Sequence, residues 1–220
     1  MLDPKVRGVL DRLHREARGD LLKFAQVGVA MGLSRVLGRK MGPAAQAALF
    51  KNVYIPVNRS QGELLYLLCR SIGAKRVVEF GTSFGISTIY LAAAVRDGGG
   101  GKVIGTELEP GKHARAVEHL REAGLSEVAE VRLGDAQETL QDVPAPIDLL
   151  LLDGWKDLYL PILKMLQPKL RRGSLVLGDN IYTFKKSLRP FVEYMQTEGS
   201  GFKSTTLPLS DGFEMSLYVG

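Results

Sequence analysis

From residue 75 onward the chain alternates short apolar runs with longer stretches of helical spacing, and that alternation predicts its architecture. Runs near 75–80, 102–107, 128–133, 147–152 and 174–179 read as strands. Ile147 to Leu152 and Ser174 to Gly178 are nearly continuous rather than alternating, the pattern of parallel strands covered on both faces. Helices near 86–96, 110–123, 136–141 and 157–170 separate the strands, so the connections are right-handed crossovers in a mostly parallel sheet. A helix from about Lys185 to Thr197 is followed by two extended runs, Phe202 to Leu209 and Phe213 to Val219. Ser210-Asp211-Gly212 lies between them and signals a hairpin. That adds two strands, one of them antiparallel, and brings the predicted total to seven.

Ahead of the sheet, residues 1–51 read as helices broken at Gly19, Gly38 and Gly42-Pro43, an N-terminal helical cap on a core spanning 52–220. Ser60 with Glu63 makes a capping box for a helix running to Ser71, and Gly73 releases the chain into the first strand. Phe24 to Leu33 is apolar for only ten residues and is bounded by Lys23 and Arg35. It is too short to cross a bilayer and too far from Met1 for an ordinary signal peptide, so neither a membrane span nor an export signal is expected.

Composition narrows the class. With 220 residues, 45% of them apolar, the chain can build a sizeable core, which excludes a disordered protein. The formal charge of +5 invites a nucleic-acid reading, supported by Arg7, Arg12, Arg15, Arg18, Lys23, Arg35, Arg39 and Lys40. These charges are dispersed among leucines and valines without interleaved aromatics, so they read as solvated helix faces and no nucleic-acid partner is expected. The single cysteine, Cys69, cannot form an internal disulfide; it fits a reducing cytoplasm and reads as a buried core thiol with no base beside it.

The candidate chemistry sits where strands end. Arg76 to Phe80 runs into Gly81-Thr82-Ser83-Phe84-Gly85 and then a helix, a glycine-rich turn whose backbone can approach a ligand and whose free helix amides favour an anionic group. The spacing is E-x-G-x-x-x-G, neither the dinucleotide fingerprint nor a P-loop, so hydride transfer and nucleotide hydrolysis are disfavoured. Asp153-Gly154-Trp155-Lys156 and Asp179-Asn180 follow the fourth and fifth strands, at the ends that line the ligand crevice of an open α/β sheet. Asp153, Asp179 and Asn180 offer three oxygen ligands to a hard cation such as Mg²⁺. Zinc is disfavoured because no Cys or His joins them, and His14, His113 and His119 are expected on helix surfaces. Gly98 to Gly101 reads as a flexible turn with no phosphate role, since no helix follows it.

Several linked motifs in one order carry a resemblance. DLLLLDGWKDLYLP, LVLGDNI and DGFEMSLY make residues 52–220 similar to the class I S-adenosylmethionine-dependent methyltransferases, and within them to the metal-dependent catechol and caffeoyl-CoA O-methyltransferases. The animal catechol enzymes are resembled more than the plant ones. The resemblance implies a Rossmann-like sheet of seven strands, mostly parallel, with helices on both faces and a C-terminal antiparallel hairpin. It implies S-adenosylmethionine and Mg²⁺ as cofactors. Glu79, Gly81, Thr82 and Ser83 would lie under the methionine part, with Ser87 at its carboxylate and Val57 nearby. Glu107 would accept both ribose hydroxyls, with Leu108 beside it, and Asp135, Ala136 and Gln137 would border the adenine on which Trp155 stacks. Asp153 would serve cofactor and metal alike, and Lys156 would take the proton from one hydroxyl of a vicinal aromatic diol.

Two positions depart from the animal catechol enzymes: Gly154 stands where they have histidine, and Thr205 falls where they place a glutamate that holds the other hydroxyl. Met31, Met41, Phe50 and Tyr54 of the cap region have no recognised counterpart. The same fold could methylate an amine or a non-aromatic hydroxyl without metal, or serve as a catalytically silent cofactor-binding partner of RNA or protein. Either a monomer or a homodimer is compatible with the sequence.

Overall fold

The computed structural model describes residues 2–19 and 57–220. The apolar stretch Phe24 to Leu33, the breaks at Gly38 and Gly42-Pro43, and Met31, Met41, Phe50 and Tyr54 lie outside the described residues. Among the described residues the elements run α1 (Pro4–Gly19), α2 (Arg59–Ser71), β1 (Arg76–Phe80), α3 (Ile86–Asp97), β2 (Lys102–Glu107), α4 (Pro110–Glu122), β3 (Ala129–Leu133), α5 (Ala136–Thr139), β4 (Ile147–Leu152), α6 (Tyr159–Leu166), β5 (Leu170–Gly178), α7 (Lys185–Gln196), β6 (Phe202–Leu207) and β7 (Phe213–Tyr218). One seven-stranded sheet has the order β3-β2-β1-β4-β5-β7-β6. The pairs among β1 to β5 are parallel, and β7 is antiparallel to both neighbours. The predicted seven-stranded sheet, with its hairpin, is therefore present.

Successive residues of a strand point to opposite faces, and the core divides accordingly. Val77, Leu149, Leu151, Leu175 and Leu177 face a cluster with α1 to α4, while Val78, Leu150, Leu152 and Val176 face one with α6 and α7. Both faces of the central strands are covered, which is why their sequences read as unbroken apolar runs. In α1, Val6, Leu10, Leu13 and Ala17 are buried and Arg7, Arg15 and Arg18 are exposed, as the dispersed-charge reading requires. Cys69 is buried in the first cluster, and no helix among the described residues is long and apolar enough to cross a membrane.

Several boundaries differ from the sequence reading. The capping box of α2 is Asn58 with Gln61, not Ser60 with Glu63: the Asn58 side chain accepts from the Gln61 amide at 2.8 Å, and the Gln61 side chain accepts from the Asn58 amide at 2.9 Å. Both pairs satisfy the same x-x spacing, and Asn58 wins because its backbone is extended where the helix starts. Strand β5 begins at Leu170, ahead of the apolar run, because Ile147 pairs with Leu170 across an irregularity in the ladder. The helix expected at 157–170 is α6 flanked by 3₁₀ turns at Lys156–Leu158 and Gln167–Lys169, and the one at 136–141 is a single turn. The Gly98–Gly101 turn enters β2 at the sheet end opposite the strand ends bearing Asp153 and Asp179, where the Lys75 amine donates to the Gly98 carbonyl.

Candidate active site

The first half of the site is the turn after β1. Gly81 and Gly85 take φ of 96° and 86°, which glycine adopts at little cost. The amides of Gly81 and Thr82 both donate to the Thr106 carbonyl of β2, at 3.2 and 3.0 Å, and pin the turn against the neighbouring strand end. Helix α3 then starts at Gly85 with no side-chain cap, leaving its first amides free for an acceptor. Ser83, at φ 51°, turns its amide to Glu107 Oε2 at 2.8 Å, and Glu107 Oε1 accepts the Glu109 amide at 2.9 Å. The Glu107 carboxylate is therefore held by two main-chain donors at the end of β2.

Glu79 is fully buried beneath this turn. Burial pushes its carboxyl up, and hydroxyl donors from Ser87, Thr88 and Thr82 oppose that shift. Thr82 and Thr88 both donate to Oε2, whereas Oε1 and the nearby Ser83 Oγ are buried without a partner among the described residues. Orphaned buried polar atoms beside free helix amides fit a ligand that carries donors and a carboxylate, as an amino-acid moiety does. Val57 is buried in the core cluster of α2 and α3, and Leu108 is exposed just past Glu107. Asp135 caps α5 by accepting the Gln137 amide, with Ala136 buried and Gln137 exposed. Trp155 is half-buried against the cluster under α6 and α7.

The second half follows β4 and β5. The Asp153 amide donates to the Phe80 carbonyl at 2.8 Å and the Asp179 amide to the Leu152 carbonyl at 3.1 Å, so both acids extend the parallel ladder by one register. Burial lifts the Asp153 carboxyl; Lys156 pulls it back, and Glu79 lifts it further. Asp179 is lifted by burial and then by the charge of Asp153. Buried acids each raised by burial and by a neighbouring carboxylate, Asp153 by Glu79 and Asp179 by Asp153, mark a site short of positive charge. Lys156 Nζ supplies part of it, 3.3 Å from Asp153 Oδ1, with the two side chains only 14% and 13% exposed. Asn180 sits at φ 63°, a left-handed position that Asn tolerates, and its amide donates to Asp179 Oδ1 at 2.7 Å.

This donor set fits a hard divalent cation: it is all oxygen, acidic and shielded. Among the described residues no group of three or more His, Cys, Asp and Glu side chains could hold a metal; the oxygen donors at these strand ends are the Asp153 and Asp179 carboxylates, with Asn180 next in the chain.

Three residues that sequence reasoning passed over complete the geometry. Gln61 Nε2 donates to Asp179 Oδ1 at 2.7 Å. Tyr159, fully buried, receives a hydrogen bond from Lys156 Nζ at 2.8 Å and donates to the Asp179 carbonyl at 3.2 Å. Phe184 places its exposed ring 5.6 Å from Lys156 Nζ. The hairpin is tied in as well, because the Ile181 and Tyr182 amides donate to the Gly212 and Asp211 carbonyls.

One expectation needs correction, and two further positions are clarified. His14 and His119 are buried rather than at the surface: His14 Nε2 lies 3.3 Å from the Tyr90 hydroxyl, and His119 Nδ1 lies 2.9 Å from the Phe84 carbonyl. A ring with one satisfied nitrogen is cheaper to bury than its polarity suggests. Thr205 is exposed on β6, whereas its neighbours Ser204 and Thr206 donate, together with Gln196, to the buried Glu214. At Gly154 a Cβ would fall 2.5 Å from the Phe80 ring, so no larger residue has room there while Phe80 keeps its place.

Comparison with known proteins finds methyltransferases among those similar to this chain. The methyltransferase domain family matches residues 78–181. A catechol O-methyltransferase of Mycobacterium tuberculosis is 36% identical over 129 residues, 58% of this chain and 57% of that protein. One from Niastella koreensis is 31% identical over 131 residues, 58% of each. The chain thus matches little more than half the length of these curated relatives. Among solved structures, the O-methyltransferase TomG of Streptomyces achromogenes, involved in tomaymycin synthesis and bound to S-adenosylmethionine, superposes with a TM-score of 0.70 at 27% identity, covering 88% of this chain and 96% of that one.

Proposed function

We propose that the chain, which is similar to S-adenosylmethionine-dependent O-methyltransferases, moves the methyl of S-adenosylmethionine to one hydroxyl of a vicinal dihydroxy aromatic small molecule, with Mg²⁺ bound. The observation that carries the reading is the convergence of Asp153, Lys156 and Asp179 at the ends of β4 and β5, beside the glycine turn of β1.

In this reading Glu79, Ser83 and the free amides of α3 bind the methionine end, Ser87 lies at its carboxylate, and Glu107 takes the ribose hydroxyls as a two-oxygen acceptor. Asp135 to Gln137 and the exposed Leu108 border the adenine, on which Trp155 stacks. Asp153, Asp179 and the Asn180 side chain hold the cation. A cation held there would supply Lewis acidity, lowering the pKa of the hydroxyl to be methylated. Lys156 accepts that proton. The acceptor oxygen then forms its bond to the methyl carbon as the carbon–sulfur bond breaks, and the electron pair stays on sulfur. Shielding at Asp153 and Lys156 keeps water from competing for the methyl.

One feature favours a second reading. Lys156 Nζ already lies 3.3 Å from Asp153 Oδ1 and takes up one of the oxygens a cation would need, which would suit transfer to an amine or lone hydroxyl without metal. Methyl transfer from labelled S-adenosylmethionine to a pool of vicinal diphenols, run with Mg²⁺ and again with EDTA, separates the two. Transfer abolished by EDTA supports the metal-dependent reading, and transfer indifferent to EDTA sinks it.

A further inference from the structure

Lys156 and Tyr159 are three residues apart across the 3₁₀ turn Lys156–Leu158. A 3₁₀ helix has three residues per turn, so the two side chains emerge on the same side. The Tyr159 ring has little freedom: it is fully buried, edge-on to Phe80 at 6.3 Å and to Phe191 at 5.5 Å between centroids. Its hydroxyl carries a single proton, directed at the Asp179 carbonyl 3.2 Å away, an atom that can only accept. Toward Lys156 Nζ, at 2.8 Å, the phenol oxygen therefore presents lone pairs alone, and the amine must be the donor. The other partner of Nζ, Asp153 Oδ1 at 3.3 Å, is likewise an acceptor.

We infer that Tyr159 is a positioning residue that fixes where the Lys156 amine points. Its phenol oxygen and Asp153 Oδ1 are the two acceptors that hold Nζ, so the remaining position on nitrogen faces away from both, toward the place an acceptor hydroxyl would take in the proposed reaction. The same phenol proton, resting on the main chain of Asp179, ties the aim of the amine to the strand end that carries the second acid. Without the hydroxyl the lysine stem, which rotates about four bonds, has one anchor instead of two. This inference rests on Lys156 being the base in the proposed reaction.

Tyr159→Phe removes the oxygen and keeps the ring, and Lys156→Met removes the amine. The expected result for Tyr159→Phe is a fall in kcat of about 10²-fold, the scale of a misaimed group, with the KM for S-adenosylmethionine unchanged. In the apo protein, spectra of lysine labelled at Cε and Nζ should show the Lys156 signal moving from a restrained position toward those of solvent-averaged lysines. Wild-type kcat in Tyr159→Phe while Lys156→Met is inactive overturns the inference and leaves the proposed function standing. An unmoved Lys156 signal, or kcat and KM falling together with thermal stability, overturns it as well. Full activity of Lys156→Met removes the base itself and the inference with it. The spectra need no acceptor, so they decide the point even where no transfer is found.

Discussion

Gln61 Nε2 lies 2.7 Å from Asp179 Oδ1, so the residue that closes the capping box of α2 also holds the acid at the end of β5. One side chain thus links the start of a helix to the candidate metal site. Gln61→Leu should lose both bonds and lower unfolding free energy by about 2–4 kcal/mol, one cap and one charged hydrogen bond. Asn58→Ala should lose only the cap, at about 1 kcal/mol. Denaturant titration of the two variants checks the difference; equal losses would mean that the Asp179 bond contributes nothing.

Glu107 receives the amides of Ser83 and Glu109 and has been given the ribose hydroxyls. Replacing Glu107 by Ala should weaken S-adenosylmethionine binding by about 10- to 100-fold, the worth of a hydrogen-bonded charged acceptor. Calorimetric titration of the cofactor measures it. An unchanged Kd would take the ribose away from this residue.

Burial pushes the Cys69 thiol from 9.0 up to about 12. A group whose folded pKa is raised favours the folded state below its unfolded value, and that advantage is lost as pH rises through the folded one. Stability relative to Cys69→Ala should therefore decline between pH 9 and pH 12 and be level below 9. The thiol should also resist alkylation at pH 8 until the protein unfolds. Rapid alkylation of the native protein would contradict the burial on which both outcomes depend.

Gly154 and Phe80 share one space, the ring lying where a Cβ at 154 would go. Gly154→Ala alone should cost about 1–3 kcal/mol through overpacking. Combined with Phe80→Leu it should cost less than the sum of the two single changes, because the smaller side chain vacates the clash. A double-mutant cycle by thermal unfolding reads this directly, and simple additivity would show that the two positions do not compete.

The central strands β4 and β5 were legible because they are covered on both faces and keep unbroken apolar runs, and the acids Asp153 and Asp179 were legible because each of those runs stops at one. Partners that meet only through the fold were not. Gln61 and Asp179 are 118 positions apart, and nothing local marks the glutamine except the cap that Ser60 and Glu63 imitate. Tyr159 reads as one more apolar position of α6, since its chemistry resides in a single oxygen at the edge of the core. His14 and His119 misled for the opposite reason: their polarity argued for solvent, and the Tyr90 hydroxyl and Phe84 carbonyl that accompany them underground belong to α3 and its preceding turn. At Leu170 the charged pair Arg171-Arg172 and Gly173 interrupt the apolar pattern, so the beginning of β5 is hidden although its ladder is not.

Strand β7 lies between β5 and β6, yet it is the last of the seven to be synthesised. Until residues 213–218 leave the ribosome, β6 has no strand beside it and β5 presents an open edge next to Asp179. The amides of Ile181 and Tyr182 must also wait for the carbonyls of Gly212 and Asp211. The glycine turn of β1 can close long before that moment. During translation the glycine turn would thus form before the surroundings of Asp179 are complete, and the two halves of the candidate site would become one only as the final strand slides into the gap.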